Sequence, residues 1–267
     1  LSIDLRDFSP IDLCGTGGDG KDTFNISTLA SFVTAGSGVK VAKHGNYGVS
    51  SGCGSSNVLE YLGIKFSNDG DFLKRCIEEA GICNLHAPLF HPAMKNIAPI
   101  RRELGVKTFF NMLGPLVNPA YPKYQLTGVF NLELARIYGY LFQNSKQHFT
   151  ILFSLDGYDE ISLTGPTKVI RNKGEFIIDA SDFGIHSLKA EAISGGSNIP
   201  SSAAIFTKVL EGKGSKAQNN VVCANAAMAI ATVTDCNPKE GFEKAKESLL
   251  SGKANKAFKK LQKLSAT

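Results

Sequence analysis

The stretch Ile11-Asp-Leu-Cys-Gly-Thr-Gly-Gly-Asp-Gly-Lys-Asp-Thr-Phe-Asn-Ile-Ser-Thr28 decides how the rest of the chain is interpreted. Its first three residues predict the end of a β-strand. Four glycines follow, and apolar residues then recur at helical spacing, so a helix is predicted to begin near residues 25–27. A strand, a glycine-rich turn and a helix N-terminus together suit an anion, because glycines allow close backbone approach and the N–H groups of the first helical turn are free.

Polar side chains in the same stretch strengthen this interpretation. Asn25, Ser27 and Thr28 add donors, and Asp19 and Asp22 offer oxygen ligands for a metal that accompanies phosphates. The loop does not end in Gly-Lys-Ser/Thr, and its glycines do not have the Gly-x-Gly-x-x-Gly spacing. We therefore predict a phosphate ligand of another kind; a glycine turn with a purely structural role is the alternative.

Composition limits the classes of protein that the chain can belong to. The 267 residues are 43% hydrophobic and 20% charged, enough for one large domain or two small ones. No apolar run approaches a membrane span, and no charged-then-apolar leader is visible, so we expect no membrane association and a cytoplasmic location. The net charge of +5 suits a polyanionic small molecule better than nucleic acid. Six cysteines without a Cys-x-x-Cys pair predict reduced thiols.

A second loop repeats the opening pattern. Residues 39–42 predict a buried strand, which leads into Lys43-His-Gly-Asn-Tyr-Gly-Val-Ser-Ser51 and then Gly52-Cys-Gly-Ser-Ser56, before a helix through residues 58–62. Two such loops at the carboxyl ends of neighbouring parallel strands would face one crevice. The density of donors favours a binding loop, and a long polar connection is the alternative.

The rest of the chain alternates strands and helices. Strands are predicted at 82–85, 125–130 and 149–154, and helices at 72–80, capped from Asn68, and 131–141. A hairpin is predicted over 168–178, and four helices over 203–210, 219–233, 239–250 and 253–264. This order predicts an α/β fold with a mainly parallel central sheet and helices on both faces.

A turn with three carboxylates follows the strand at 149–154. Asp156, Asp159 and Glu160 lie where the glycine loops are also expected, at the carboxyl edge of the sheet. Mg²⁺ commonly bridges one or two such carboxylates to substrate phosphates, so we interpret the turn as a magnesium site. A turn kept polar by solvent is the alternative.

Six motifs, in order and with matching spacing, resemble the anthranilate phosphoribosyltransferase family. They are Gly15-Thr-Gly-Gly-Asp19, Asn25-Ile-Ser-Thr28, Lys43-His-Gly-Asn46 with Val49-Ser-Ser51, His91-Pro-Ala-Met94 with Arg101-Arg-Glu-Leu-Gly105, Phe110-Asn-Met-Leu-Gly-Pro-Leu-Val-Asn-Pro119, and Asp159-Glu160. The resemblance extends from about residue 10 to the C-terminus.

The resemblance implies a fold and a reaction. The family joins anthranilate to the ribose 5-phosphate of phosphoribosyl diphosphate and releases diphosphate, in tryptophan biosynthesis. Residues 1–267 would form the α/β domain that binds phosphoribosyl diphosphate, with about 88–118 contributing to a small helical subdomain. The family's N-terminal helices are expected to be missing, and the full-length protein is expected to be a homodimer.

The resemblance also assigns site residues. Magnesium would be held by Ser27, Asp159 and Glu160, and anthranilate by Gly15, His44, Asn46, His91 and Arg101. Phosphoribosyl diphosphate would be held by Gly15, Gly18, Asp19, Thr23, Asn25, Ile26, Ser27, Thr28, Lys43, His44, Gly45, Asn46, Tyr47, Gly48, Val49, Ser50, Ser51 and Ser55. We assign no nucleophile or general base, because a neutral aromatic amine can attack an oxocarbenium-like centre without prior deprotonation.

One residue departs from the family pattern, and two alternatives remain. The family commonly has Arg where this chain has Tyr47. A pyrimidine nucleoside phosphorylase shares the fold but would need a nucleobase site in place of Asn46 and Arg101. A non-enzymatic nucleic-acid-binding relative should have lost the carboxylate pair, yet Asp159 and Glu160 are present.

Overall fold

A seven-stranded sheet forms the centre of the structure, a computed structural model that describes residues 1–48, 53–92 and 112–266. The strands lie in the order β3-β2-β1-β4-β5-β6-β7. The first five are parallel to one another, and β5, β6 and β7 pair antiparallel. Their bounds are β1 Ile11–Gly15, β2 Val41–Gly45, β3 Ile82–His86, β4 Tyr124–Gly128, β5 His148–Ser154, β6 Thr167–Arg171 and β7 Gly174–Ile178.

Helices cover both faces of this sheet. A large apolar cluster on one face includes residues of α1, α3 and the four C-terminal helices, and a smaller cluster on the other face joins α5 to β5. The bounds are α1 Ile26–Gly36, α2 Ser55–Tyr61, α3 Gly70–Ala80, α4 Ala87–Phe90, α5 Leu132–Gln143, α6 Ile199–Leu210, α7 Lys216–Thr234, α8 Pro238–Leu250 and α9 Lys253–Ala266. The predicted α/β class, with a mainly parallel sheet and helices on both faces, is confirmed.

The strand order creates a switch point between β1 and β4. From β1 the chain passes through α1 to β2 on one side, while β4 pairs on the other side of β1 and continues through α5 to β5. In parallel sheets of this kind, ligands bind in the crevice at the carboxyl ends of the strands where the order reverses. The loop after β1 therefore begins at the place where the fold favours a ligand.

Several predicted boundaries were wrong by a few residues. Strand β2 begins at Val41 and extends to Gly45, and β3 extends to His86, because the two strands pair as far as Gly45 and His86. Strand β4 ends at Gly128, not at residue 130. The N-cap of α3 is Asp69, whose Oδ1 accepts the N–H of Phe72 at 2.7 Å.

Other predictions fall outside the described residues. Residues 93–111 make up most of the proposed helical subdomain at about 88–118, so that assignment stays a prediction. Within the part of the chain that the structure describes, no helix combines the length and the apolar character that a membrane span requires.

Candidate active site

Asp159 and Glu160 lie at the switch point, on the turn that follows β5. The Oδ2 atom of Asp159 accepts the backbone N–H of Gly17 at 2.7 Å, in the glycine loop after β1. Glu160 Oε1 accepts the backbone N–H of Ser27 at 2.8 Å, in the first turn of α1. The two carboxylates therefore bind the loop and the helix N-terminus that the sequence predicted to form an anion site.

Two paired glycines make room for this turn. Gly15 and Gly128 are register partners at the ends of β1 and β4. A Cβ atom on Gly15 would collide with the Asp159 carboxylate, and one on Gly128 would collide with the Asp159 backbone carbonyl. The absence of side chains at both strand ends thus lets Asp159 reach the loop after β1.

The N-terminus of α1 uses Glu160 in place of a conventional cap. The side chain of the N-cap residue Asn25 makes no capping bond, and its Nδ2 donates instead to the Cys53 carbonyl at 3.2 Å. The carboxylate of Glu160 takes the N–H that a cap would satisfy, and its charge lies at the positive end of the helix dipole. A long-range contact therefore completes a helix start that sequence alone assigned to Asn25–Ser27.

A buried asparagine fixes the backbone next to the carboxylate pair. Asn225, in the middle of α7, donates to the carbonyl of Ile161 at 2.8 Å and accepts its N–H at 3.0 Å. The hydroxyl of Ser154 also donates to the carbonyl of Glu160 at 2.5 Å. Asn225 was not identified from the sequence, although it is the one polar residue in the run of small apolar residues at 221–231.

The charges of the two carboxyl groups repel each other in a poorly solvated place. Burial, followed by the charge of Asp19, raises the pKa of Asp159 well above its usual range. Burial and the charge of Asp159 likewise raise the pKa of Glu160. Hydrogen bonds from Gly17 and Ser27 offset only part of this effect. The site therefore favours a bound positive charge.

The donor set fits a hard divalent cation. Asp159 and Glu160 supply carboxylate oxygens, and Ser27, whose backbone N–H binds Glu160, adds a hydroxyl. Among the described residues, no group of three or more His, Cys, Asp or Glu side chains is preformed to hold a metal. Mg²⁺ binds through one or two carboxylates and completes its shell with waters and phosphates, so two carboxylates and a hydroxyl are sufficient. The carboxylate of Asp156 accepts the hydroxyl of Thr164, and Asp22 is exposed.

The glycine loop after β1 has the backbone that its sequence requires. Gly17, Gly18 and Gly20 have positive φ angles of 65°, 78° and 73°, which side chains strongly disfavour. The buried Thr28 hydroxyl of α1 has no hydrogen-bond partner. Thr23 lies beside the loop and forms an isolated bridge with Ser194. A buried polar group without a hydrogen-bond partner therefore lies in the first turn of α1, just after this loop.

The second loop begins inside β2. Lys43 is buried, and its Nζ donates to the carbonyl of Leu13 at 2.6 Å, while burial lowers its pKa. The backbone N–H of His44 donates to Oδ1 of the fully buried Asp12 at 3.0 Å. Asp12 was also not identified from the sequence, although an acidic residue inside the apolar run of β1 is unusual. Strand β1 therefore holds the residues at which the second loop starts.

Helix α2 holds the next part of this loop. The carbonyl of Asn46 accepts the hydroxyl of Ser55 at 3.2 Å and the N–H of Ser56 at 3.3 Å. Oδ1 of Asn57 accepts the N–H groups of Gly48 and Gly54, each at 3.1 Å. Asn57, which was not assigned a role from the sequence, therefore connects the two sides of the loop.

Two histidines assigned to anthranilate lie in contact with each other. The rings of His44 and His91 stand edge to face with centroids 5.4 Å apart. Nδ1 of His44 lies 3.0 Å from the carbonyl of Gly114, whereas the buried Nε2 atoms of both rings have no partner. Burial lowers the pKa of both rings. Two buried ring nitrogens thus have unfulfilled hydrogen-bonding capacity.

Four of the predicted site residues cannot be placed. Val49, Ser50 and Ser51 in the second loop and Arg101 in the anthranilate site lie outside the described residues. Their assignments stay predictions, as do the ligand contacts of the other residues. What the structure does bring together is the first loop, the start of α1 and the pair formed by Asp159 and Glu160.

A known protein family matches most of this chain. The family described as "Glycosyl transferase family, a/b domain" matches residues 8–255. Proteins named anthranilate phosphoribosyltransferase from Flavobacterium johnsoniae and Flavobacterium psychrophilum are 71% and 70% identical over 99% of this chain and 80% of their own length.

Solved structures with the same name share the fold. The enzyme from Thermus thermophilus matches with a TM-score of 0.92 and 34% identity over 99% of this chain and 80% of its own. The Saccharomyces cerevisiae enzyme, solved in complex with PRPP and Mg, matches with a TM-score of 0.90 and 30% identity over 100% of this chain and 76% of its own. Given the order of the motifs, the carboxylate pair at the switch point and these matches, the chain belongs to the anthranilate phosphoribosyltransferase family.

Proposed function

We propose that this chain transfers the phosphoribosyl group of 5-phosphoribosyl 1-diphosphate to anthranilate, giving N-(5-phosphoribosyl)anthranilate and diphosphate in tryptophan biosynthesis. The observation that carries the proposal is the contact of Asp159 and Glu160 with the glycine loop and the N-terminus of α1. That arrangement combines backbone donors for phosphate oxygens with carboxylates for a cation.

Phosphoribosyl diphosphate would bind across the two loops. The first loop and α1 offer backbone N–H groups and the unpartnered hydroxyl of Thr28. The second loop offers the polar groups of residues 43–48 and Ser55, and its start is held against β1 by Asp12. A diphosphate between two such loops would be contacted from both sides, which suits its high charge density.

Magnesium would be held by Asp159, Glu160 and Ser27. The raised pKa values of the two carboxyl groups support this assignment, because a divalent cation would relieve their repulsion. When bound, the ion would neutralise charge on the leaving diphosphate. The Saccharomyces cerevisiae relative was crystallised with PRPP and Mg, which supports the same cofactor here.

Anthranilate would bind near Gly15, His44, Asn46 and His91, with Arg101 as the partner of its carboxylate. The two unpartnered Nε2 atoms of His44 and His91 support a polar ligand beside them. A guanidinium is suited to a carboxylate because its planar fork can form two parallel hydrogen bonds. This part of the proposal rests on the family resemblance and on the position of the two histidines.

The reaction would proceed by positioning and electrostatics. The C1–O bond to diphosphate breaks with its electron pair remaining on the diphosphate oxygen, and the amine lone pair of anthranilate forms the new N–C1 bond. The proton on that nitrogen is then lost to solvent or to the released diphosphate. Backbone donors of the first loop would stabilise the departing charge without reorganising, and no protein nucleophile is required.

The direct test follows the fluorescence of anthranilate. With phosphoribosyl diphosphate and Mg²⁺, we expect fluorescence to fall in proportion to diphosphate release, and to stay constant when either is omitted. Phosphorolysis of a pyrimidine nucleoside without anthranilate consumption would favour the phosphorylase alternative. Tight nucleic-acid binding without either reaction would favour the non-enzymatic alternative. The homodimer and the cytoplasmic location stay predictions.

A further inference from the structure

Tyr47 is the residue at which this chain departs from the common family pattern, and its contacts are specific. Its ring stands edge to face on His86, with centroids 4.8 Å apart, and its hydroxyl lies 3.4 Å from the carboxylate of Glu60. The side chain is 38% exposed. Tyr47 therefore contacts β3 through its ring and α2 through its hydroxyl.

The ring beneath Tyr47, that of His86, is held by two contacts. His86 is buried at the end of β3 and stacks on Phe66, with centroids 4.4 Å apart and ring planes at 15°. Nδ1 of His86 lies 3.0 Å from the hydroxyl of Ser56 in α2. A ring held by stacking and by a hydrogen bond gives Tyr47 a well-defined surface to pack against.

The backbone at Tyr47 is tied to the residues assigned to the substrates. Its N–H donates to Oδ1 of Asn46 at 2.8 Å, so the orientation of the Asn46 side chain depends on the path of the chain at Tyr47. The next residue, Gly48, is held by Asn57. A shift of the Tyr47 ring would therefore move the Asn46 amide and the part of the loop assigned to phosphoribosyl diphosphate.

From these contacts we infer that Tyr47 is a positioning residue, whose ring holds the Lys43–Gly48 loop against His86 and so sets the affinity for phosphoribosyl diphosphate without contacting the phosphates. The inference rests on the proposed function only in assigning this loop to that substrate. It differs from the expectation drawn from sequence, in which Tyr47 is itself a ligand of phosphoribosyl diphosphate.

Binding of phosphoribosyl diphosphate with Mg²⁺, measured by calorimetry without anthranilate, separates ring from hydroxyl. Tyr47→Phe keeps the ring and should bind as the wild type does. Tyr47→Ala loses the aromatic contact and should bind about two- to tenfold more weakly, with kcat retained at saturating substrate. Tyr61→Ala is the matched control, because Tyr61 is an exposed tyrosine at the end of the same helix α2.

Charge and coupling provide two further tests. The guanidinium in Tyr47→Arg should pair with Glu60, so neither affinity nor its salt dependence should rise. A ligand role predicts the opposite, namely tighter and more salt-sensitive binding.

The coupling between Tyr47 and His86 provides a separate test. His86→Phe keeps a ring under Tyr47 and should retain the affinity for phosphoribosyl diphosphate. The loss of binding free energy when Tyr47→Ala and His86→Ala are combined should be smaller than the sum of the two single losses.

The outcomes are distinct. Unchanged binding in Tyr47→Ala, or weakened binding in Tyr47→Phe equal to that in Tyr47→Ala, would overturn the inference. A wild-type chain that binds no phosphoribosyl diphosphate would overturn the proposed function and this inference with it. Melting curves of the variants should stay close to the wild type, because the side chain is only partly buried; a large drop for Tyr47→Ala with normal binding would also contradict a positioning role.

Discussion

The two loops at the centre of the site have the same local design but are held in different ways. The loop after β1 is bound by carboxylates that lie 142 and 133 residues further along the chain. The loop after β2 is held mainly by the helix that follows it, through Ser55, Asn57 and Glu60, which lie 9 to 13 residues away. The first depends on buried charge, and the second on local hydrogen bonds and ring packing.

The difference suggests different tasks for the two loops. Buried carboxylates repel each other until a cation arrives, so the first loop is suited to metal binding. Hydrogen bonds and ring packing already define the conformation of the second loop without a ligand, so this loop is suited to holding donors in place. Substitutions in the first should therefore alter metal dependence, and those in the second should alter substrate affinity.

The largest effect is expected from Asp159→Asn combined with Glu160→Gln. We expect Mg²⁺-dependent turnover to fall at least about a thousandfold, since metal-assisted charge stabilisation is worth several kcal/mol. Because both pKa values are raised, the ionised pair costs folding free energy as pH rises through them. The metal-free variant should thus melt no lower than the wild type at neutral pH. Turnover assays and melting curves with and without Mg²⁺ test this, and full activity would remove the pair from the site.

A smaller effect is expected from Gly15→Ala, which adds a methyl group against the Asp159 carboxylate. We expect a loss of about 1–3 kcal/mol in stability from overpacking, together with weaker Mg²⁺ binding. Gly70→Ala is the control, because a Cβ there meets nothing within 4 Å. Denaturant titration measures the stability, and metal titration measures the Mg²⁺ affinity. Equal values for the two variants would show that the turn can shift to accommodate the added methyl group.

The pH dependence of stability probes the support of the second loop. Burial, and then the charge of His44, lowers the pKa of His86 to about 4. The unfolded chain therefore binds a proton at this ring near pH 6.5, whereas the folded chain binds it only near pH 4. The free energy of unfolding should fall by about 1–2 kcal/mol between pH 6.5 and 4. This expected loss of stability is smaller than the free energy that corresponds to the full pKa shift. The His86 ring lies beneath Tyr47, which is partly exposed, so solvent screens part of the effect.

Comparing pH slopes isolates this contribution. His86→Phe should show a shallower decline in stability over that range, whatever its absolute stability after losing the contact with Ser56. The exposed His186 supplies the control, since His186→Phe should leave the slope unchanged. Identical slopes for wild type and His86→Phe would show that His86 does not control the acid sensitivity.

The smallest effect is expected from Asn57→Ala, which removes the acceptor shared by Gly48 and Gly54. We expect KM for phosphoribosyl diphosphate to rise about two- to tenfold, because two modest hydrogen bonds that hold the loop are lost, with little change in the melting temperature. Asn57→Asp keeps an acceptor and should restore most of the affinity. Steady-state kinetics decide this; a rise in the KM for anthranilate alone would contradict the assignment of the loop.

Many of these features could be predicted from sequence because they are local. Periodicity and capping residues predicted α5, whose N-cap Asn131 accepts the N–H of Leu134 at 2.7 Å, and also the β6–β7 hairpin. Alternation of strands and helices predicted the mainly parallel sheet. The boundaries of β2 and β3 were wrong, because their last residues are strand only through pairing with each other.

The sequence by itself determined the fold class, the two glycine-containing loops and, through the order of its motifs, the family. Each of these depends on spacing along the chain, which a linear pattern records. Only the tertiary structure decided that Glu160 completes the start of α1, that Asn225 fixes the turn beside it, and that Asp12 holds the start of the second loop. These contacts join residues 32 to 133 positions apart. Burial strengthens such polar contacts, because the local dielectric constant is low, and only folding determines which groups are buried together.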